Sequence, residues 1–172
     1  MTVTKLCTVG DHVTPLDCAI FLAGPIERVD PNALQRQLPS WRVEAQIALT
    51  REFSEDVVIY SPEWHKKPVG WSYDTQVNWE ISAMQAAAVI LCWIPRQLPL
   101  LPGFTTNVEV GEWLHSPKLL AGAPLGAPHT KYIETRLKLL CRPWYTDLDK
   151  LVTDAVWFST EVRKSGKGSV KP

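Results

Sequence analysis

The chain of 172 residues carries 18 Lys+Arg against 18 Asp+Glu, a formal net charge of zero at pH 7. That balance supplies no basic surface for nucleic acid or an anionic membrane, and no apolar run approaches the roughly 20 residues that cross a bilayer. With 45% hydrophobic and 21% charged residues, the composition is that of a globular domain with room for a real core.

Residues 1–164 read as one domain, because no repeat and no break in composition divides them. Met1–Asp17 is mixed and polar, a lead-in or an edge segment. Cys18–Ala23 is a continuous apolar run stopped by Gly24-Pro25, which predicts a central strand covered on both faces. The polar loop Ile26–Pro39 is long enough to carry function. Ser40 then caps a helix with Trp41, Ala45, Ala48 and Leu49 along one side, and Val57–Tyr60 is a second strand ended by Ser61-Pro62.

A second long loop, Glu63–Asp74, carries Trp64, His65, Trp71 and Tyr73. Asp74 or Thr75 starts a helix to about Ala87, and the apolar run up to Ile94 follows as the third strand. After the Pro/Leu-rich loop Pro95–Gly103, Thr105 and Thr106 suit a helix cap and put Glu109 within the first two turns. Lys118–Gly122 is a fourth strand, Thr130 caps a helix with Tyr132, Ile133, Leu137 and Leu140, and Trp144-Tyr145 makes a brief fifth strand. Asp147 begins the last helix, and Ser165–Pro172 reads as a disordered tail.

Strands alternating with helices predict an α/β fold with a mostly parallel sheet and right-handed crossovers. The longest loops follow strands, so they gather at one end of the sheet, where such folds bind ligands. Three features fall there. Gly24-Pro25 lets a ligand approach the backbone, though Gly-Pro also simply ends strands. Tyr73–Glu80 contains Asp74, which fits an N-cap equally well, and Glu80, too deep in its helix to cap it. Glu109 is the third, and alone it reads as an acid complementing a helix dipole. Cys7, Cys18, Cys92 and Cys141 are far apart and read as free thiols, while His12, His65, His115 and His129 form no ligand-spaced pair. No metal and no other cofactor is expected. The N-terminus lacks the sections of a signal peptide, so a cytoplasmic protein is expected.

Taken together in order, three pieces resemble the nucleoside 2-deoxyribosyltransferase-like family. They are Ile20–Ile26 followed by Trp41-Arg42, Gln76–Glu80 leading into Val89–Pro95, and Thr105–Gly111 with Gly122-Ala123-Pro124 downstream. The resemblance spans Ile20 to about Leu140, and Asn107-Val108-Glu109-Val110-Gly111 is its most specific part. It implies a flavodoxin-like three-layer sandwich with a mostly parallel five-stranded sheet. It also implies a nucleophilic Glu109 that displaces the base of a deoxynucleoside, and a second acid, Glu80, contacting the sugar or the base. Phe21, Gly24, Pro25, Trp71, Tyr73 and Asn107 are the expected substrate contacts, with Asp74 a competitor of Glu80 as the acid. The implied partners are a nucleoside or nucleotide, a free nucleobase and further copies of the same chain.

The chain departs from that family in three places. Ala87-Ala88 stands where relatives have Ala-Asp, Phe21 lies near the place of a Tyr, and no acid occurs in Pro95–Gly103. The chemistry nonetheless fits the residues. A carboxylate captures an oxocarbenium-like centre, a helix N-terminus keeps it ionised, and an acid of higher pKa beside Trp79 and Ile81 protonates the leaving base, with retention at the sugar. Trp64, Trp71 and Tyr73 either stack on a base or clasp the loop. Lys66-Lys67 or Arg28 would gain meaning with a phosphorylated substrate. A nucleoside or nucleotide hydrolase, an NAD glycohydrolase and a non-catalytic nucleotide-binding module are the alternative readings.

Overall fold

The computed structural model describes residues 4–14, 18–27, 38–54, 56–63 and 70–167, with side chains to 165. Five strands form one sheet: β1 (Thr4–Cys7), β2 (Ala19–Ala23), β3 (Val57–Tyr60), β4 (Val89–Trp93) and β5 (Leu119–Gly122). Every pairing is parallel, in the order β1-β3-β2-β4-β5. Five helices accompany them: α1 (Trp41–Glu52), α2 (Tyr73–Ala86), α3 (Phe104–Trp113), α4 (Lys131–Leu139) and α5 (Leu148–Lys167).

The apolar runs explain the layering. Along β2 every residue is buried, and successive side chains serve opposite faces. Phe21 and Ala23 join Trp79, Ala83, Val110, Ile133 and Leu137, which puts α2, α3 and α4 on one side. Ile20 and Leu22 join Trp41, Ala45, Leu49, Leu151, Val152 and Ala155, which puts α1 and α5 on the other. The result is a flavodoxin-like three-layer sandwich.

Four differences from the sequence reading have physical reasons. The fifth strand is β1, the edge alternative for the opening stretch, held by register from Thr4–Val57 to Cys7–Tyr60. Trp144-Tyr145 shrinks to a single bridge between Tyr145 and Gly122, because the chain turns into α5 directly afterwards. Helix α5 runs through Ser165 to Lys167, so the first three residues of the expected tail are helical, continued by backbone-capping bonds such as Ser165 Oγ to the Glu161 carbonyl (2.7 Å). Helix α3 is capped by Gly103 at φ 60°, without a side-chain cap bond, one turn earlier than Thr106 would place it. Among the described residues no helix is long and apolar enough to cross a membrane.

This topology positions the site. From β2 the chain moves outward to β3, then crosses back over to β4, so β2 and β4 flank the point where the winding reverses. The ladder between the two strands ends at Ala23–Cys92. Gly24, at φ 147°, lies there with no room for a side chain: a Cβ would collide with the Trp93 carbonyl oxygen and come 2.7 Å from Cζ2 of Trp41. Gly24→Ala is therefore expected to cost about 2–4 kcal/mol, read as a lower urea midpoint at unchanged slope. Gly111→Ala, where a Cβ meets nothing within 4 Å, is expected to gain about 0.5–1 kcal/mol in the same measurement.

Candidate functional site

At the C-terminal end of the sheet lies a cavity of about 190 Å3, lined by the ends of β2 and β3 and the first turns of α2 and α3. Phe21 and Gly24 line it from β2, Arg42 from α1, Gln76 and Glu80 from α2, and Glu109 from α3. Tyr73 and Phe104, the first residues of α2 and α3, also line it and remain 62% exposed each. Glu109 is the sixth residue of α3, in its second turn. Glu80 is the eighth residue of α2, past the reach of any cap.

Both carboxyls are held away from their ordinary state. Burial pushes Glu109 up from 4.5 to about 7, helped by the like charge of Glu80 and opposed by Arg42. Glu80 is also raised, again mainly by burial, while the hydrogen bond from Gln76 and the charge of Arg42 pull it back. The expectation that the helix N-terminus keeps Glu109 ionised gives way to burial, because the residue sits a full turn beyond the Gly103 cap and the dipole acts mainly on the first turn. Two such groups in one cavity titrate as a coupled pair, each making the other harder to ionise.

Gln76 orders this pair. Its Nε2 donates to Glu80 Oε1 at 2.8 Å, and its Oε1 accepts from Trp71 Nε1 at 3.3 Å. An indole N–H only donates, so Trp71 fixes which end of the amide faces Glu80. Trp71 thus acts on the site through Gln76. Phe21 packs its ring against Trp79 at a centroid separation of 6.4 Å, and Trp79 in turn donates to the Asp11 carbonyl (2.9 Å).

The remaining expected residues fall elsewhere. Asp74 is exposed at the second position of α2 and does not line the cavity; the cap is Ser72, whose Oγ accepts from the Thr75 backbone N–H at 3.0 Å. Asn107 turns to Arg96, which donates to its Oδ1 at 2.7 Å, and lines a separate cavity between α3 and α4. Pro25 presents its carbonyl to Trp41 Nε1 (3.2 Å) and Arg42 Nη1 (3.1 Å). Trp64, His65, Lys66, Lys67 and Arg28 lie outside the described residues.

Arg42 and Gln76 were given no role from sequence. Arg42 is fully buried and donates to three successive features of the β2 turn: Nε to the Leu22 carbonyl (3.1 Å), Nη2 to that of Gly24 (2.6 Å) and Nη1 to that of Pro25. A signal existed. Arg42 lies three residues before Ala45 and seven before Leu49, so it is a charge on the apolar stripe of its own helix. Gln76 stands one helical turn before Glu80, the spacing at which side chains meet.

A family model described as nucleoside 2-deoxyribosyltransferase like matches residues 17–127, a span that holds β2 through β5 and both carboxyls. No curated protein matches the chain.

The raised Glu109 has a consequence for stability. Up to about pH 7 the folded protein keeps a proton that the unfolded chain releases near 4.5, so stability falls as pH rises between those values. Glu109→Gln removes the penalty. It should be more stable than wild type above pH 7 by up to about 3 kcal/mol, with the gap closing as pH falls through the ordinary carboxylate range. Urea unfolding at several pH values reads this directly. A constant gap from acid to alkaline pH would mean that Glu109 is not strained by burial.

Proposed function

This chain belongs to the nucleoside 2-deoxyribosyltransferase-like family, and from that membership we propose that it transfers a 2-deoxyribosyl group between nucleobases through a covalent intermediate on Glu109. One observation carries the reading. Glu109 and Glu80, from two different helices, line one cavity beyond the strand ends, beside the buried Arg42.

In the first half-reaction a Glu109 carboxylate oxygen attacks C1′ of the donor from the face opposite the base. The N-glycosidic bond breaks, its electron pair goes to the base nitrogen, and Glu80 supplies the proton that the base takes away. In the second half-reaction a nitrogen of the acceptor base attacks C1′, the ester bond to Glu109 breaks, and Glu80 takes up the proton the acceptor loses. Two inversions give net retention. The burial that makes the Glu109 charge costly favours this chemistry. The oxocarbenium character that develops at C1′ offsets that cost, so the interaction is stronger in the transition state than before it. Tyr73 and Phe104 line the cavity, which supports a reading in which they stack on the base. Phe104 and Val108, exposed one turn apart on α3, support association with further copies of the chain.

The size of the cavity favours a second reading. About 190 Å3 is small beside the roughly 300–1,000 Å3 of a typical ligand pocket, and water as acceptor asks less room than a second base in the place the first one leaves. The two readings separate in one assay. Deoxyuridine or deoxyadenosine is supplied with a different free base, and the products are resolved by chromatography. A new nucleoside is the expected result; free base formed equally with and without acceptor would assign the hydrolase. Glu109→Gln should lower either activity by roughly 10³-fold or more with the fold intact. Glu80→Gln should lower it by about 10²–10⁴-fold, and less for donors whose base leaves without a proton. Normal turnover by Glu109→Gln would sink the nucleophile assignment.

A further inference from the structure

We propose that Arg42 is the positioning residue of the carboxylate pair: it fixes the Leu22–Pro25 turn and supplies the positive charge against which Glu109 and Glu80 share one cavity. This rests on the reading of Glu109 and Glu80 as the reacting groups. Among the described residues that line the cavity, Arg42 is the one cation.

The geometry first shows a fork that cannot turn. Each of the three guanidinium nitrogens is tied, Nε to Leu22, Nη2 to Gly24 and Nη1 to Pro25, all through backbone carbonyls. Nη1 also lies 3.5 Å from Glu63 Oε1, and Glu63 is itself held by Ser40 Oγ, which donates to Oε2 at 2.6 Å. Ser40 is the cap of α1, so the cap, the ion pair and the fork form one connected unit. The fork meets the three carbonyls from three separate nitrogens held in one plane, where a lysine would offer a single ammonium on a flexible stem.

A guanidinium needed only as a strut would be an expensive choice at a fully buried position. Its charge has a second use. Arg42 pulls down both Glu109 and Glu80, against the burial that raises each, and in return Glu63, Glu109 and Glu80 help retain its proton. The groups facing Glu109 come from every side. Glu80 is on α2, Arg42 on α1 and Glu112 further along α3, while Cys92 on β4 has its thiol pushed up by burial and stays neutral. Two of these raise Glu109 through their negative charge, and Arg42 alone opposes them. Without it, the pair would lose the charge that lets one member ionise while the other keeps its proton.

Carboxyl 13C NMR of Glu109, assigned with Glu109→Gln, tests this without turnover. The wild-type midpoint is expected near 7, and Arg42→Gln should raise it by about one pH unit or more, a tenfold loss of the ionised form on the acid side. Arg42→Lys keeps the charge but loses the fork, and should stay much closer to wild type. A folded Arg42→Gln protein with the wild-type midpoint would overturn the proposal and leave Arg42 a strut. Should Arg42→Gln fail to fold, the wild-type Arg42 15Nε resonance decides: an inflection near pH 7 that vanishes in Glu109→Gln supports it, and a flat titration overturns it. If the chain moves no sugar at all, these titrations still read out, so the two claims fail separately. If it does, the acid limb of kcat/KM should move with the Glu109 midpoint.

Discussion

The structure depends on close backbone packing where β2 ends. Gly24 and Pro25 lie beyond the last ladder pair, Ala23–Cys92, so their carbonyls need donors from elsewhere. Arg42 and Trp41, neighbours in the first turn of α1, provide them, and the Trp93 carbonyl and the Trp41 indole leave no space for a side chain on Gly24. One turn thereby ties β2 to the helix on one face of the sheet and to the end of β4. The cavity opens directly beyond it, where the winding of the sheet reverses. Packing and site are the same feature seen from two sides.

Charge follows from that packing. Among the described residues the cavity is lined by two acids from the α2–α3 side and by Arg42 from the α1 side, all largely buried, where charges interact more strongly than in bulk water. Burial raises both acids, and Arg42 limits the rise. Burial makes negative charge at these acids costly, and a cationic sugar centre would relieve that cost. The proposed reaction draws on that difference, since binding that is equal in the ground and transition states accelerates nothing.

Much of the fold was legible because burial on both faces leaves uninterrupted apolar runs. Cys18–Ala23 and Ala87–Ile94 announce β2 and β4, and Val57–Tyr60 is β3 to the residue. The edges were harder. β1 mixes Thr4 and Lys5 with Leu6 and Cys7 because it pairs on one side only, while Trp144-Tyr145 had strand-like residues but room for a single bridge. Helix starts went to the residue types that usually cap, Thr105 and Asp74, where Gly103 and Ser72 hold those positions. At the site, Glu80 and Glu109 stood out because no local role explained them together. For Asn107 and Trp71 the sequence leaves a substrate contact and a local packing role both open; what they touch, Arg96 and Gln76, is fixed by tertiary packing that spacing does not encode. Arg42 was visible as a charge on an apolar stripe, and its three carbonyl partners were not, since they belong to another element.

The central claim is a covalent bond between Glu109 and a sugar. Rapid quenching of the protein with a deoxynucleoside donor and no acceptor base, followed by intact and peptide mass spectrometry, tests it most directly. The account predicts the added mass of one deoxyribosyl group, mapped to the peptide containing Glu109 and absent from Glu109→Ala. Turnover of the donor with an unmodified Glu109 at every quench time, or the adduct on another residue, would contradict it.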